Sequence, residues 1–301
     1  MHGPWLMNKV GRLNCTTLNA AVQSFMQTIA HPILFVGGGN MAHAIISGAR
    51  KAGILDPERV GVIEPNLDRH PLFKNAFTDT ADAIHWLRMQ DAEDATIILA
   101  VKPQKLEAAC APVCEQIAQL PFKPLAISIL AGTRIEQIEH ALDHKARVIR
   151  VMPNTPAQIR KAMSAISPSD EATEQDLELA DQLFSSIGKT ITVSEDLMNA
   201  FTAIAGSGPA YVFYLAEAMI EAALQLGFDK QQAQTIVRQT VAGSASLLDR
   251  SPEMPRQLRE QVTSKKGTTE AATDVLDDTG FTDAIIRAIH AARHRGIELG
   301  K

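Results

Sequence analysis

Residues 261–272 read QVTSKKGTTEAA. Ser264, Thr268 and Thr269 supply hydroxyls, Gly267 leaves backbone accessible, and Lys265 and Lys266 add two ammonium groups. Hydroxyls, free N–H groups and nearby cations suit a small anion. The same residues also read as a capped helix start, with Thr268 or Thr269 at the N-cap of a helix through Ala271, Val275 and Leu276. A second stretch with chemical potential is VGGGNMAHAIISG, from Val36 onward. Its Gly37-x-Gly39-x-x-Ala42 pattern fits a dinucleotide loop. The first glycine permits a tight turn, the second close approach to a pyrophosphate, and the third small residue tight helix–strand packing.

Such residues need elements to hold them. ILFV (33–36), VGVIE (60–64), ATIILAVKP (95–103), LAISILAG (125–132) and ARVIRVMPN (146–154) are apolar runs of strand length, separated by helical patterns such as Ile135 to Leu142. That alternation predicts a doubly wound parallel sheet with its ligand at the carboxyl ends of the strands. Polar residues collect at those ends: Glu64, Lys102, Ala131-Gly132 and Asn154-Thr155. Glu64 lies twenty-two residues past Ala42, where an acid takes ribose hydroxyls. Pro103 fixes the turn after Lys102, which is expected to be aimed at the nicotinamide or substrate, as is Asn154 between two prolines. Two short strands, Met163–Ile166 and Thr190–Val193, flank one more helix. Then the pattern turns helical, over 206–227, 230–248, 253–262, 268–278 and 281–299. The first of these, GSGPAYVFYLAEAMIEAALQLG, has so little polar face that it predicts a subunit interface.

Composition sets limits. A chain of 301 residues supports two domains. A net charge of −5 without any basic run argues against a nucleic-acid partner. The most apolar stretch, Tyr211 to Leu226, is broken by Glu217 and Glu221 and falls short of a membrane span. Cysteines 15, 110 and 114 form no disulfide framework and read as reduced thiols of a cytosolic protein. The pairs His140/His144 and His290/His294 lack a third ligand and read as solvated faces, so no metal is expected. Residues 1–30 stand outside the fold as an extension: a tag, an upstream start or a disordered leader.

Taken in order, FVGGGNMA, AVKPQ, MPNTPA, GSGPAYVF and QVTSKKGTTEAA resemble the pyrroline-5-carboxylate reductase family over about residues 31–300. The resemblance implies an α/β fold, with a Rossmann-type sheet domain over 31–194 and an all-helical dimerisation and substrate domain over 195–301. It implies NADH- or NADPH-dependent reduction of 1-pyrroline-5-carboxylate to L-proline in the cytoplasm. It also implies an interleaved homodimer, which some members assemble into a decamer. Motif by motif, it assigns the cofactor to Val36, Gly37, Gly38, Gly39, Asn40, Met41, Glu64, Ala100, Val101, Lys102, Pro103, Ile129, Leu130, Ala131 and Asn154. Substrate contacts fall on Glu195, Gln261, Ser264, Gly267, Thr268 and Thr269, with Thr269 and Lys102 as catalytic residues. The chain departs from the family at Lys265-Lys266, where Pro-Gly is usual, and carries Ala162 and Asn199 where glycine and aspartate are common. Glu64 disfavours a 2′-phosphate and leans towards NADH, with Arg69 able to reach round. The competing readings are a related imine or 2-hydroxy-acid reductase, and a non-catalytic NAD(P)-binding paralogue.

Overall fold

The computed structural model describes residues 28–90 and 92–300. Most of the expected 1–30 extension, with Cys15, lies outside them. Eight strands form one sheet: β1 (Ile33–Val36), β2 (Val60–Ile63), β3 (Asn75–Phe77), β4 (Thr96–Leu99), β5 (Leu125–Ser128), β6 (Arg147–Met152), β7 (Ala162–Pro168) and β8 (Gly188–Thr192). Their order is β3-β2-β1-β4-β5-β6-β7-β8, and every neighbouring pair is parallel except β6 with β7.

The apolar strand runs are explained by helices on both faces. Ile33 and Phe35 of β1 pack with Ile98, Ile127 and Ile149 beneath α1 (Asn40–Lys51) and α5 (Glu174–Ser185). Leu34 and Val36 point the other way, packing with Ile97, Leu99 and Val148 beneath α2 (Thr80–Arg88), α3 (Leu106–Ile117) and α4 (Ile135–Ala141). Alternate residues thus enter opposite cores, each buried Ile or Leu contributing about 1.5–3 kcal/mol. The edge strand β3 has no apolar run to announce it. It is held instead by the Asn75 amide, which donates to the carbonyls of Pro57, Glu58 and Val60.

After β8 the chain enters α6 (Met198–Phe201), a π turn (Thr202–Gly206) and α7 (Gly208–Gln225). A π turn displaces carbonyls from the regular ladder. Two side chains satisfy them: Tyr211 Oη donates to Ala203 O at 2.9 Å, and Asn154 Nδ2 to Ala205 O at 2.9 Å. The remaining helices are α8 (Lys230–Arg250), α9 (Pro255–Gln261), α10 (Thr268–Asp278) and α11 (Phe281–Leu299). α7 packs on α8, and α11 returns to α6 and the π turn, where its end meets the 131–132 loop.

This helical half has almost no core of its own. From Gly208 onward the only buried apolar residues among those described are Ala223, Ala233 and Val237. Phe213 is 61% exposed, Tyr214 76% and Leu226 80%. An apolar helix left this bare is the signature of a surface covered by another chain. No helix among the described residues is long and apolar enough to cross a membrane.

Candidate active site

The glycine loop is stitched to the ends of the neighbouring strands. Gly37 N donates to Ile63 O and Ala100 N to Val36 O, both at 2.9 Å. Gly37 has φ +106°, and a Cβ there would stand 2.8 Å from Ala100 O, so glycine is required for turn and closeness alike. Gly39 differs: a Cβ there would meet nothing within 4 Å, so the space above it is open. Gly39 is also the N-cap of α1 and offers no side-chain cap. The N–H groups of Asn40, Met41 and Ala42 therefore lack intrahelical acceptors and point, with the positive end of a 12-residue helix, into that space. This is a cradle for a pyrophosphate, so the residues fit a dinucleotide.

Glu64 and Arg69 lie against the glycine loop. Glu64 Oε2 accepts from Gly38 N at 3.2 Å and Oε1 from Asn66 N at 2.9 Å. Arg69 Nε donates to Gly38 O at 2.9 Å, its Nη2 reaches Asn40 Oδ1 at 3.2 Å, and its Nε lies 3.9 Å from Glu64 Oε2. The guanidinium thus belongs to the loop as much as to any ligand.

Ala100–Pro103 and Ile129–Ala131 follow β4 and β5. Ile129 N bonds Leu99 O at 3.0 Å, which fixes the two loops side by side. Leu130 sends its side chain into the core and can offer a ligand only its backbone. Pro103 and Ala131 line a groove of about 900 Å³ with Thr133, Gln137, His140 and Leu299. His140 and His144, read as a solvated face, both border this groove. Pro103 does hold the backbone of Lys102 extended (φ −72°, ψ 144°), yet the Lys102 side chain is exposed and without a partner among the described residues. Asn154 is buried, and both ends of its amide are engaged, Nδ2 donating to Ala205 O and Oδ1 accepting from Met163 N, each at 2.9 Å. It ties the MPN turn to the π turn before GSGPAY.

The 261–272 segment leads into α10. Its N-cap is Gly267, not Thr268 or Thr269, and no side chain caps it. The expected threonine cap gives way because Gly267 N bonds Ser264 O at 2.9 Å, which turns the chain one residue earlier. Thr268 and Thr269 occupy the first turn with their N–H groups uncommitted to the helix. Lys266 takes the left-handed conformation (φ +60°) that a glycine would adopt freely, and its N–H donates to Glu270 Oε2. Gln261 Nε2 is held by the Glu253 carboxylate at 2.7 and 2.8 Å. Glu195 lies elsewhere, its Oε1 accepting from Ile135 N at 2.6 Å and from Arg150 Nη1 at 3.2 Å. No hydrogen bond or ion pair among the described residues joins 261–269 to the glycine loop, to 100–103 or to 129–131.

Comparison with known proteins decides the family. Residues 195–299 match the model for pyrroline-5-carboxylate reductase dimerisation, and residues 32–132 match that for NADP oxidoreductase, coenzyme F420-dependent. Pyrroline-5-carboxylate reductase 2 of Bacillus subtilis is 39% identical over 88% of this chain and 94% of its own length. The pyrroline-5-carboxylate reductase of Methanosarcina acetivorans is 38% identical over 89% of this chain and 97% of its own. The chain belongs to the pyrroline-5-carboxylate reductase family. A solved Coxiella burnetii pyrroline-5-carboxylate reductase superposes with a TM-score of 0.81 at 34% identity, covering 91% of this chain and all of that one. The dimerisation match also accounts for the bare face of α7.

One feature escaped the sequence reading. Arg150 sits inside an apolar strand, in RVIRVM, and is 1% exposed. A charged residue amid strand-forming apolar neighbours was the available signal.

Proposed function

We propose that this protein reduces the C=N bond of 1-pyrroline-5-carboxylate to L-proline, the last step of proline synthesis, with NADH or NADPH. One observation carries the reading. An uncapped dinucleotide loop at Gly39 coexists with a second uncapped, hydroxyl-flanked helix start at Gly267, in a helical half that lacks its own core. The bound nicotinamide supplies a hydride to the imine carbon. The chain does the rest. Val36–Met41 cradle the pyrophosphate, Ala100–Pro103, Ile129–Ala131 and Asn154 border the nicotinamide, and Lys102 reaches the reacting end. The N–H groups and hydroxyls around Ser264, Gly267, Thr268 and Thr269 take the substrate carboxylate. The Thr269 hydroxyl orients the ring nitrogen, and Glu195 and Gln261 complete the contacts. A cyclic imine is basic enough to take its proton from water, so catalysis is mainly positioning.

The division at 194/195 follows from this reading, as does an interleaved homodimer in which each 261–269 loop serves its partner's dinucleotide site. The free Cys110 and Cys114 thiols suit the cytoplasm. Whether five dimers form a decamer is read by solution mass. Glu64 favours a free ribose hydroxyl over a 2′-phosphate, and Arg69 is committed to Gly38 and Asn40, so NADH serves at least as well as NADPH. A tenfold preference for NADPH in kcat/KM would remove that last point.

Complementation tests the shared site. A Gly39→Val chain and a Thr269→Val chain should each be nearly inactive. Randomly paired, they should recover about a quarter of wild-type activity, since half the dimers are mixed and each has one intact site. No recovery in a confirmed mixed dimer would refute the interleaved site.

A further inference from the structure

Arg150 stands near the centre of β6, in register with Ser128 of β5 and Ser167 of β7, and among the described residues neither serine hydroxyl bonds its guanidinium. Its Nη1 donates to Glu195 Oε1 at 3.2 Å, while Nη2 is buried with no acceptor among the described residues. Glu195 Oε1 also accepts from the N–H of Ile135, the first residue of α4, at 2.6 Å. Two donors therefore converge on one carboxylate oxygen, and Oε2 has no partner among the described residues. Glu195 opens the turn leading from β8 into the helical half, and borders a groove of about 770 Å³ with Ser167, Ser169 and Thr192.

Stability does not account for this arrangement. Burial pushes the guanidinium's pKa down, with the Glu195 carboxylate opposing it. An ion pair this deep is commonly no more stabilising than an apolar pair of equal volume, and the orphaned Nη2 adds a desolvation cost. What the pair does provide is a fixed rotamer, because a planar donor on one side and a backbone N–H on the other leave the carboxylate a single setting.

We infer that Arg150 is a positioning residue of the imine site: it clamps Oε1 of Glu195 so that Oε2 is presented to the substrate in one orientation. The inference rests on the reductase reading and on Glu195 as a substrate contact. It goes further by giving the buried strand arginine a share in imine affinity and turnover, with none in cofactor binding.

The test is a double-mutant cycle on the full-length protein, with Arg150→Lys, Glu195→Gln and the pair combined. The readouts are kcat/KM for the imine, KM for the cofactor, melting temperature and solution mass. Arg150→Lys should lower imine kcat/KM by roughly tenfold with cofactor KM within about twofold. In the Glu195→Gln background the same change should have almost no further effect. Independent, multiplying effects would overturn the inference, as would equal losses for imine and cofactor. If Arg150→Lys does not fold, Glu195→Asp keeps the negative charge but draws the whole carboxylate back by one methylene, off the Arg150 and Ile135 donors and away from the substrate. Imine kcat/KM should then fall with cofactor KM unchanged, and an unaltered imine kcat/KM would overturn the proposal. A wild-type protein that turns over no imine would instead bring down the reductase reading, and this inference with it.

Discussion

Gly37 and Gly39 sit two residues apart in the same loop, and alanine should act on them in opposite ways. At Gly37 the backbone has φ +106°, and the added methyl would stand 2.8 Å from Ala100 O, 3.0 Å from its carbonyl carbon and 3.2 Å from Val101 Cγ1. The backbone conformation alone costs an L-residue about 1–2 kcal/mol. Overpacking against the carbonyl of Ala100, a residue whose N–H is tied to Val36 O, adds about 1–3 kcal/mol. A total near 3 kcal/mol corresponds to a fall of about 6–12 °C in melting temperature for a domain of this size. Gly39→Ala meets nothing within 4 Å and has an ordinary φ of −65°, so its melting temperature should stay within about 2 °C of wild type. Its methyl instead fills the cradle above α1, and cofactor affinity should drop by roughly tenfold, or about 1.4 kcal/mol. Differential scanning fluorimetry without cofactor, and titration of cofactor by protein fluorescence, separate the two effects. A Gly37→Ala protein as stable as wild type would refute the reading of this loop. So would a Gly39→Ala protein that binds cofactor normally.

Three further outcomes follow from the geometry. Burial lowers the pKa of His31, despite Asp94 nearby, and its Nε2 pairs with Thr96 Oγ1 at 2.8 Å; its folded-state pKa lies below the ordinary 6.5, so its contribution is full above pH 6.5 and fades below it. Burial raises the Asp176 carboxyl, but bonds from Arg147 and Thr173 bring it below the ordinary 3.8, so a second loss begins near pH 4; melting scans should show both legs, and His31→Asn should erase only the first. Lys266→Gly should raise the melting temperature by a few degrees at most, since relief of a left-handed lysine (about 1 kcal/mol) is partly offset by glycine's greater unfolded-state freedom, and a clear destabilisation would contradict the φ of +60°. Phe213→Glu combined with Tyr214→Glu, on the bare face of α7, should shift solution mass to the monomer and abolish turnover, whereas an unchanged mass would mean that another surface pairs the chains.

Much of this was legible in the sequence because the parallel sheet is buried on both faces: each of β1, β2, β4, β5 and β6 announced itself as an apolar run. β3 did not, because an edge strand of three half-buried residues is fixed by the Asn75 side chain rather than by burial. The π turn was hidden too, since it is specified by distant donors, Tyr211 and Asn154, and has no local pattern. Asn154 shows how a motif can be read correctly as constrained while its side chain is occupied with structure. The N-cap at Gly267 was missed because threonine is the better capping residue, and the Ser264 carbonyl that overrides this preference is a tertiary detail of the loop. Arg150 and Glu195 met only in three dimensions, 45 residues apart.

The central claim is that this chain carries hydride from a reduced nicotinamide to a cyclic imino acid. The most direct measurement incubates the purified protein with racemic 1-pyrroline-5-carboxylate and NADH, and in parallel NADPH, following cofactor absorbance and quantifying proline by chiral chromatography. One L-proline should form for each reduced cofactor consumed, with NADH at least as effective as NADPH. Cofactor binding without imine-dependent oxidation, or oxidation without L-proline, would contradict it.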